Sequence, residues 1–360
     1  MNIDATNQQL AALALLIKQW GQELGFQQVG ITDTALQDAE AHLHSWLDNG
    51  FHGDMDYMQR HGLKRSRPAL LHPGTVRVIS VRMDYQTESS SAMKQTLADP
   101  AAAYISRYAL GRDYHKLMRG RLQKLADRIQ AETGPIHPGS MRAFVDSAPV
   151  LEKALAEKAG LGWIGKHSNV INRKAGSWFF LGELFTDLPL PIDTPATAHC
   201  GDCRACLDIC PTQAIIAPYQ VDARRCVSYL TIELHGAIPE NLRPLIGNRI
   251  YGCDDCQLVC PWNRFAKLSN ETDFHPRHRL NTQQLLDAFA WSEAEFLAKT
   301  EGSAIRRIGH QRWLRNIAVA LGNAPASLLI VNALKPMLAQ GSELVKEHVV
   351  WALAQQQQFK

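Results

Sequence analysis

The 360-residue chain has no cysteine before position 200 and none after position 260, so all eight fall within one short stretch. Long apolar runs are also missing. The run from Ala11 to Ile17 is far too short to cross a bilayer. The opening residues, MNIDATNQQL, hold an acid and no basic segment, so no export signal is legible. A cytoplasmic protein with no membrane attachment is expected, where thiolates stay available as ligands rather than pairing as disulfides. The glycine-rich stretch Gly160-Leu161-Gly162-Trp163-Ile164-Gly165-Lys166 is neither G-x-G-x-x-G nor a Walker loop. It reads as backbone open to a large flat ligand or as a plain turn. Neither sign of charge dominates: the net charge is +3 and the pI about 8.4, compatible with a polyanionic partner without demanding one. With 46% hydrophobic and 20% charged residues the composition is that of a globular protein, and the length suits two or three domains.

The cysteines carry the clearest chemistry. Cys200, Cys203, Cys206 and Cys210, followed by Pro211, reproduce the C-x2-C-x2-C-x3-C-P run of two-cluster ferredoxins. Three of them wrap one cubane and the fourth ligates the other. The second run, Cys253, Cys256 and Cys260 with Pro261, has Ile250 where a symmetric copy needs a cysteine, and Cys226 is the thiol left to supply it. Cys200, Cys203, Cys206 and Cys260 are therefore expected to hold one [4Fe-4S] cluster, and Cys210, Cys226, Cys253 and Cys256 the other. Structural zinc and disulfides are the rival readings. A three-cysteine run ended by proline is not a zinc spacing, and disulfides need an oxidising compartment.

Upstream, apolar periodicity predicts a helix over Gln8 to Leu24 stopped by Gly25, a short strand at Val29 to Ile31, and a helix over Leu36 to Leu47. A half-buried strand is predicted at Thr75 to Tyr85. Helix, strand and helix follow at Tyr114 to Glu132, Arg142 to Val145 and Pro149 to Ala159, and a strand at Ser177 to Phe185. This alternation predicts an α+β fold with a catalytic α/β domain over residues 1–190, a ferredoxin-like domain over 191–265 and a helical domain over 266–360.

Two stretches of the first domain look chemical. Ser106 to Lys116 gathers hydroxyls, cations and an imidazole around Gly111, although a polar loop leading into a helix with Asp113 as its cap is the plainer reading. In Phe144-Val145-Asp146-Ser147-Ala148-Pro149 a strand ends on a carboxylate just before a helix start, where an aspartate serves as an acid or as a loop acceptor. In the tail, helices are predicted near residues 283–289, 292–299, 311–321, 326–338 and 342–354. Arg306, Arg307, His310, Arg312 and Arg315 form the most basic cluster, read as a solvated face or as phosphate contacts.

VDSAPVLEKALAEKAGLGWIGKH, GSWFFLGELFTD, the cysteine pattern, CVSYLTIE and IGNRIYGCDDCQLVCPWN together resemble the epoxyqueuosine reductase family, over essentially the whole chain. That resemblance implies a nitroreductase-like cobalamin-binding domain, a double [4Fe-4S] domain and C-terminal HEAT-like repeats that bind tRNA. It implies reduction of epoxyqueuosine to queuosine at the wobble position of tRNAs with GUN-type anticodons, by cob(I)alamin fed from the clusters. The partners it implies are that tRNA and a low-potential donor of flavodoxin or ferredoxin type; a monomer is expected. Asp146 is then the proton donor, kept protonated by burial, and Arg65, Ser106, His115, Val170, Leu181 and Ser228 lie near the cobalamin, partly through backbone groups. Tyr108 and Tyr114 shape the substrate pocket. Asp113-x-His115 has Met118 where a D-x-H-x-x-G motif needs glycine, in keeping with base-off binding. His167 stands where the family pattern has asparagine. A small-molecule reductase related to reductive dehalogenases and a ferredoxin-like electron carrier are the competing functions.

Overall fold

The computed structural model describes residues 3–134 and 139–357. Its organising element is a four-stranded antiparallel sheet in the order β1-β2-β7-β4, with β1 at Gln28–Thr32, β2 at Arg77–Asp84, β4 at Met141–Phe144 and β7 at Phe179–Thr186. β2 was expected to be half-buried, but everything after its first residue is buried. The reason is that helices cover both faces. Ile79, Val81 and Met83 share a core with Leu13 and Ile17 of α1 (Ile3–Glu23) and with Met118, Leu122 and Leu125 of α3 (Tyr114–Thr133). Val78 packs instead with Leu36, just before α2 (Gln37–Asp48), and with Ala154 and Leu155 of α4 (Glu152–Lys158). Alternation along the strand therefore aims Ser80, Arg82 and Asp84 at the α4 side. Arg82 and Asp84 pair there at 3.0 Å, and Ser80 donates to Glu183 of β7.

The later segments are not appended to this sheet as separate bodies. β3 (Tyr104–Ile105) pairs in parallel with β10 (Arg249–Tyr251). Between them lie the hairpin of β5 (Trp163–Ile164) and β6 (Val170–Ile171), the hairpin of β8 (Ile215–Ala217) and β9 (Gln220–Val221), and the short helices α5 (Ala205–Ile209) and α6 (Val227–Ile232). One apolar core runs through Ala103 and Ile105, through Leu230 and Ile250, and into Ile317, Leu321 and Val349 of the tail helices α7 (Gly309–Asn323) and α8 (Glu343–Gln357). The changes in sequence character near residues 190 and 265 thus do not separate cores. The helix expected over 326–338 is divided into Leu328–Leu334 and Met337–Gln340, with Pro336 between them. Among the described residues no helix is long and apolar enough to cross a membrane.

Candidate active site and cluster sites

β4 ends at Phe144, and two residues later Asp146 takes a left-handed φ of 50°. Asparagine and aspartate tolerate that region best among non-glycine residues. The turn continues with Ser147 N–H donating to Val145 and Val150 N–H to Ala148, so α4 begins only at Glu152, later than the Pro149 start expected. This turn sets the Asp146 carboxylate against the first turn of α3. Asp113 caps that helix by accepting from His115 N–H and also meets His115 Nδ1 at 2.5 Å, while His115 Nε2 lies 3.1 Å from Asp146 Oδ2. An Asp–His–Asp chain results.

Its electrostatics correct one expectation. The Asp146 side chain is half exposed, and the surrounding protein opposes its ionisation, but hydrogen bonding from His115 and Tyr114 and the charge of Arg307 pull its pKa below the usual range. The proton sits on the imidazole instead: burial would lower His115, but hydrogen bonds to Asp113 and Asp146 raise it to about 9. Behind the loop lies a carboxyl pair. Glu152 accepts from Asp146 N–H at 2.5 Å, and burial with the nearby Asp146 charge pushes it up to about 7. Glu183, fully buried, is raised well above its ordinary value by burial and by Glu152.

Arg65, Tyr57 and Arg307 lie near enough to feel the Asp146 charge or act on it. Arg65 is buried; its Nη2 donates to Tyr57 O, while its Nε has no partner and is available to a ligand. Tyr114 stacks between His115 and Phe180. Tyr108 Oη donates to Tyr251 Oη at 3.2 Å. Val170 and Leu181 meet in one small apolar cluster. Ser106 is tied down: its hydroxyl donates to the buried Asp254 at 2.6 Å, its N–H to Tyr251 O, and its carbonyl accepts from Ala109 N–H, which leaves only that carbonyl's second lone pair for a ligand. Ser228 lies in the first turn of α6, two residues after Cys226. Sequence reading missed Glu183, a lone carboxylate in the apolar strand FFLGELFT, as well as Glu152 and Lys153. The basic cluster is only partly internal: Arg315 is fully buried and donates to the carbonyls of Leu230, Leu234 and Gly236, and Arg312 donates to Ile308, Ile232 and Arg307, while Arg306 and Arg307 are exposed and Arg307 pairs with Glu233.

The cysteines form two neighbourhoods. Cys200, Cys203, Cys206 and Cys260 line one cavity with Lys166, His167 and Trp262. Around the half-buried Cys256, whose thiol the surrounding protein pushes well up, the nearby thiols include Cys226 and Cys210, and Cys253 senses Cys256. Among the described residues no three His, Cys, Asp or Glu side chains converge on a point as a single metal ion requires. Four thiols around a cavity suit a cubane. Lys153 links the two chemistries. Burial lowers its pKa, and it feels Asp146 and Glu152 together with Cys256 and Cys226.

An Asp–His–Asp chain beside eight clustered cysteines, four of them on one cavity, points to an iron–sulfur oxidoreductase. Residues 199–263 match the family of 4Fe-4S double cluster binding domains, and residues 65–147 match the epoxyqueuosine reductase QueG domain, DUF1730. The epoxyqueuosine reductase of Pseudomonas aeruginosa is 65% identical over 95% of this chain and 94% of its own, and that of Escherichia coli is 62% identical over 96% and 90%. A solved epoxyqueuosine reductase carrying an epoxyqueuosine-modified tRNA-Tyr stem loop superposes with a TM-score of 0.86 at 27% identity, covering 96% of this chain and 90% of its own. The Bacillus subtilis enzyme, solved with its catalytic aspartate loop swung out of the active site, gives 0.86 at 26% identity over the same shares. The chain belongs to the epoxyqueuosine reductase family.

Proposed function

We propose that this protein reduces epoxyqueuosine to queuosine in tRNA, the last step of queuosine formation, and that the His115–Asp146 pair supplies protons. The carrying observation is that pair, set on a strand-end turn beside the second cysteine set in a chain 62–65% identical to epoxyqueuosine reductases along nearly its whole length. Converting the epoxide to an alkene consumes two electrons and two protons and releases water. The two cysteine sets account for all eight thiols, so the cleft has no thiolate of its own to open the ring. A separate group is needed, and the residues present suit cobalamin: a half-exposed carboxylate at Asp146, a buried Arg65 Nε without a partner and the apolar cluster of Val170 and Leu181.

Bound cobalamin supplies the strongly reducing centre that breaks the carbon–oxygen bond. Arg65, His115, Val170, Leu181, Ser228 and the Ser106 backbone are the residues we assign to holding it. His115 keeps a proton at Nε2 while Asp113 fixes the ring through Nδ1. Asp146 Oδ2 relays that proton to the departing oxygen, and His115, reprotonated from solvent, supplies the second proton by the same path. Glu152 holds the loop by accepting from the Asp146 amide. Cys200, Cys203, Cys206 and Cys260 take one [4Fe-4S] cluster and Cys210, Cys226, Cys253 and Cys256 the other. The substrate is tRNA with a GUN-type anticodon, its wobble nucleotide splayed out to reach the cleft. A flavodoxin- or ferredoxin-type donor serves a monomer in the cytoplasm.

The experiment is nucleoside mass spectrometry of epoxyqueuosine tRNA, incubated anaerobically with the reconstituted protein and a low-potential reductant, with and without cobalamin. Queuosine only with cobalamin supports the reading. No queuosine, with both clusters intact, overturns it in favour of a small-molecule reductase or an electron carrier.

A further inference from the structure

The β5–β6 hairpin is fastened to the loop that begins the first cysteine run. Trp163 Nε1–H donates to Cys200 Sγ at 3.4 Å, and Lys166 Nζ donates to the carbonyls of Gly201 at 2.6 Å and Cys203 at 3.0 Å. At the hairpin turn, Gly165 N–H donates to Asn169 O, and Ser168 takes a left-handed φ of 65°. This turn tucks His167 inward, leaving it 5% exposed on the wall of the cavity lined by Cys200, Cys203, Cys206 and Cys260. Gly165 makes room for the ring, since a Cβ there would stand 3.1 Å from His167 Cε1.

The ring's tautomer follows from its one hydrogen bond. Nδ1 accepts from Asn169 N–H at 3.1 Å, so Nδ1 is unprotonated and the hydrogen is on Nε2. Nε2 is buried and has no partner in the protein. A buried donor left unpaired is costly, so its partner is expected in the group that fills the cavity.

We propose that His167 donates its Nε2–H to a sulfur of the [4Fe-4S] cluster held by Cys200, Cys203, Cys206 and Cys260 and thereby raises that cluster's reduction potential. Hydrogen bonds to cluster sulfurs are among the groups that set such potentials, and a donor favours the more negative, reduced state. The inference rests on the cluster assignment, which iron analysis tests separately: wild-type protein with iron for fewer than two clusters would fail that assignment rather than this one.

The test is an EPR-monitored redox titration of the reconstituted protein as wild type, His167→Phe and His167→Gln. The expected result is full iron in all three, a first-cluster midpoint shifted negative in H167F, and a midpoint near wild type in H167Q, which keeps an N–H. Equal midpoints in all three overturn the proposal. Should H167F not assemble its cluster, wild-type protein labelled with 15N-histidine decides. A 15N hyperfine coupling on the reduced first cluster, lost in H167Q, supports the bond, and its absence from the wild type overturns it. The H167Q comparison also separates His167 from His199, which packs against Trp163 nearby.

Discussion

His115 Nε2 lies 3.1 Å from Asp146 Oδ2, and this contact decides where the site keeps its proton. With Asp113 on the other ring nitrogen, His115 is raised to about 9 and stays an imidazolium at neutral pH. Turnover should therefore hold through neutral pH and fall as pH rises through about 9. In His115→Gln that alkaline limb should vanish and the rate drop by about 100-fold or more. The same shift acts on stability: a folded-state pKa above the unfolded value near 6.5 stabilises the fold fully below about 6.5, and that contribution is lost as pH rises to about 9. A pH–rate profile with its limb unchanged in His115→Gln would remove His115 from the proton path.

Asp146→Asn keeps the shape of the side chain and tolerates the left-handed φ of 50°. It should fold and load both clusters yet lose about 100- to 10,000-fold in rate, read by nucleoside mass spectrometry beside iron analysis. Unchanged activity would mean that the proton comes from elsewhere.

Glu152 and Glu183 form a carboxyl pair under the Asp146 loop, Glu152 raised by burial and the Asp146 charge, Glu183 by burial and by Glu152. Folded-state pKa values above the unfolded carboxyl value mean that the native state binds more protons from about pH 4.5 upward. Stability should fall as pH rises from about 4.5 to 7 and beyond. Glu183→Gln removes one buried charge, so its loss of Tm between pH 5 and 8 should be smaller than that of the wild type. Thermal melts across that range check this, and identical slopes would refute the shared-proton arrangement.

What the sequence disclosed follows from how local each signal is. The cysteine runs are legible because cluster loops are set by spacing along the chain, and the Asp146 turn because a strand-end acid just before a helix start is a local pattern. Glu183 was hidden because its partners, Ser80 and Glu152, come from a neighbouring strand and from a helix across the sheet. β2 looked half-solvated because its alternating polar residues face an interior network rather than water. Arg315 reads as surface charge in a helix, and only the fold shows three distant carbonyls waiting for it.

Those carbonyls make a stability prediction. Arg315→Met keeps the length of the side chain but strands the acceptors on Leu230, Leu234 and Gly236, and should destabilise the protein by about 3 kcal/mol or more. Arg306, exposed with a single bond to Leu297 O, provides the contrast: Arg306→Met should change stability by about 0.5 kcal/mol or less. Denaturant unfolding of both variants measures the difference. Similar midpoints would return Arg315 to the surface role that its sequence suggests.

Cys226 tests how the ligands are divided. It stands apart from both runs, just before α6, and lies close to Cys210 and Cys256 rather than on the cavity lined by Cys200, Cys203, Cys206 and Cys260. Cys226→Ser should reduce the iron content and abolish the EPR signal of the second cluster while leaving that of the first. Cys260→Ser should do the reverse, although Cys260 is only four residues from Cys256. A Cys260→Ser protein that kept its first-cluster signal and lost the second would show that each run holds its own cluster without exchanging a ligand. In that case Cys210 would complete the first set, and Cys226 would serve as the fourth ligand of the second beside Cys253, Cys256 and Cys260.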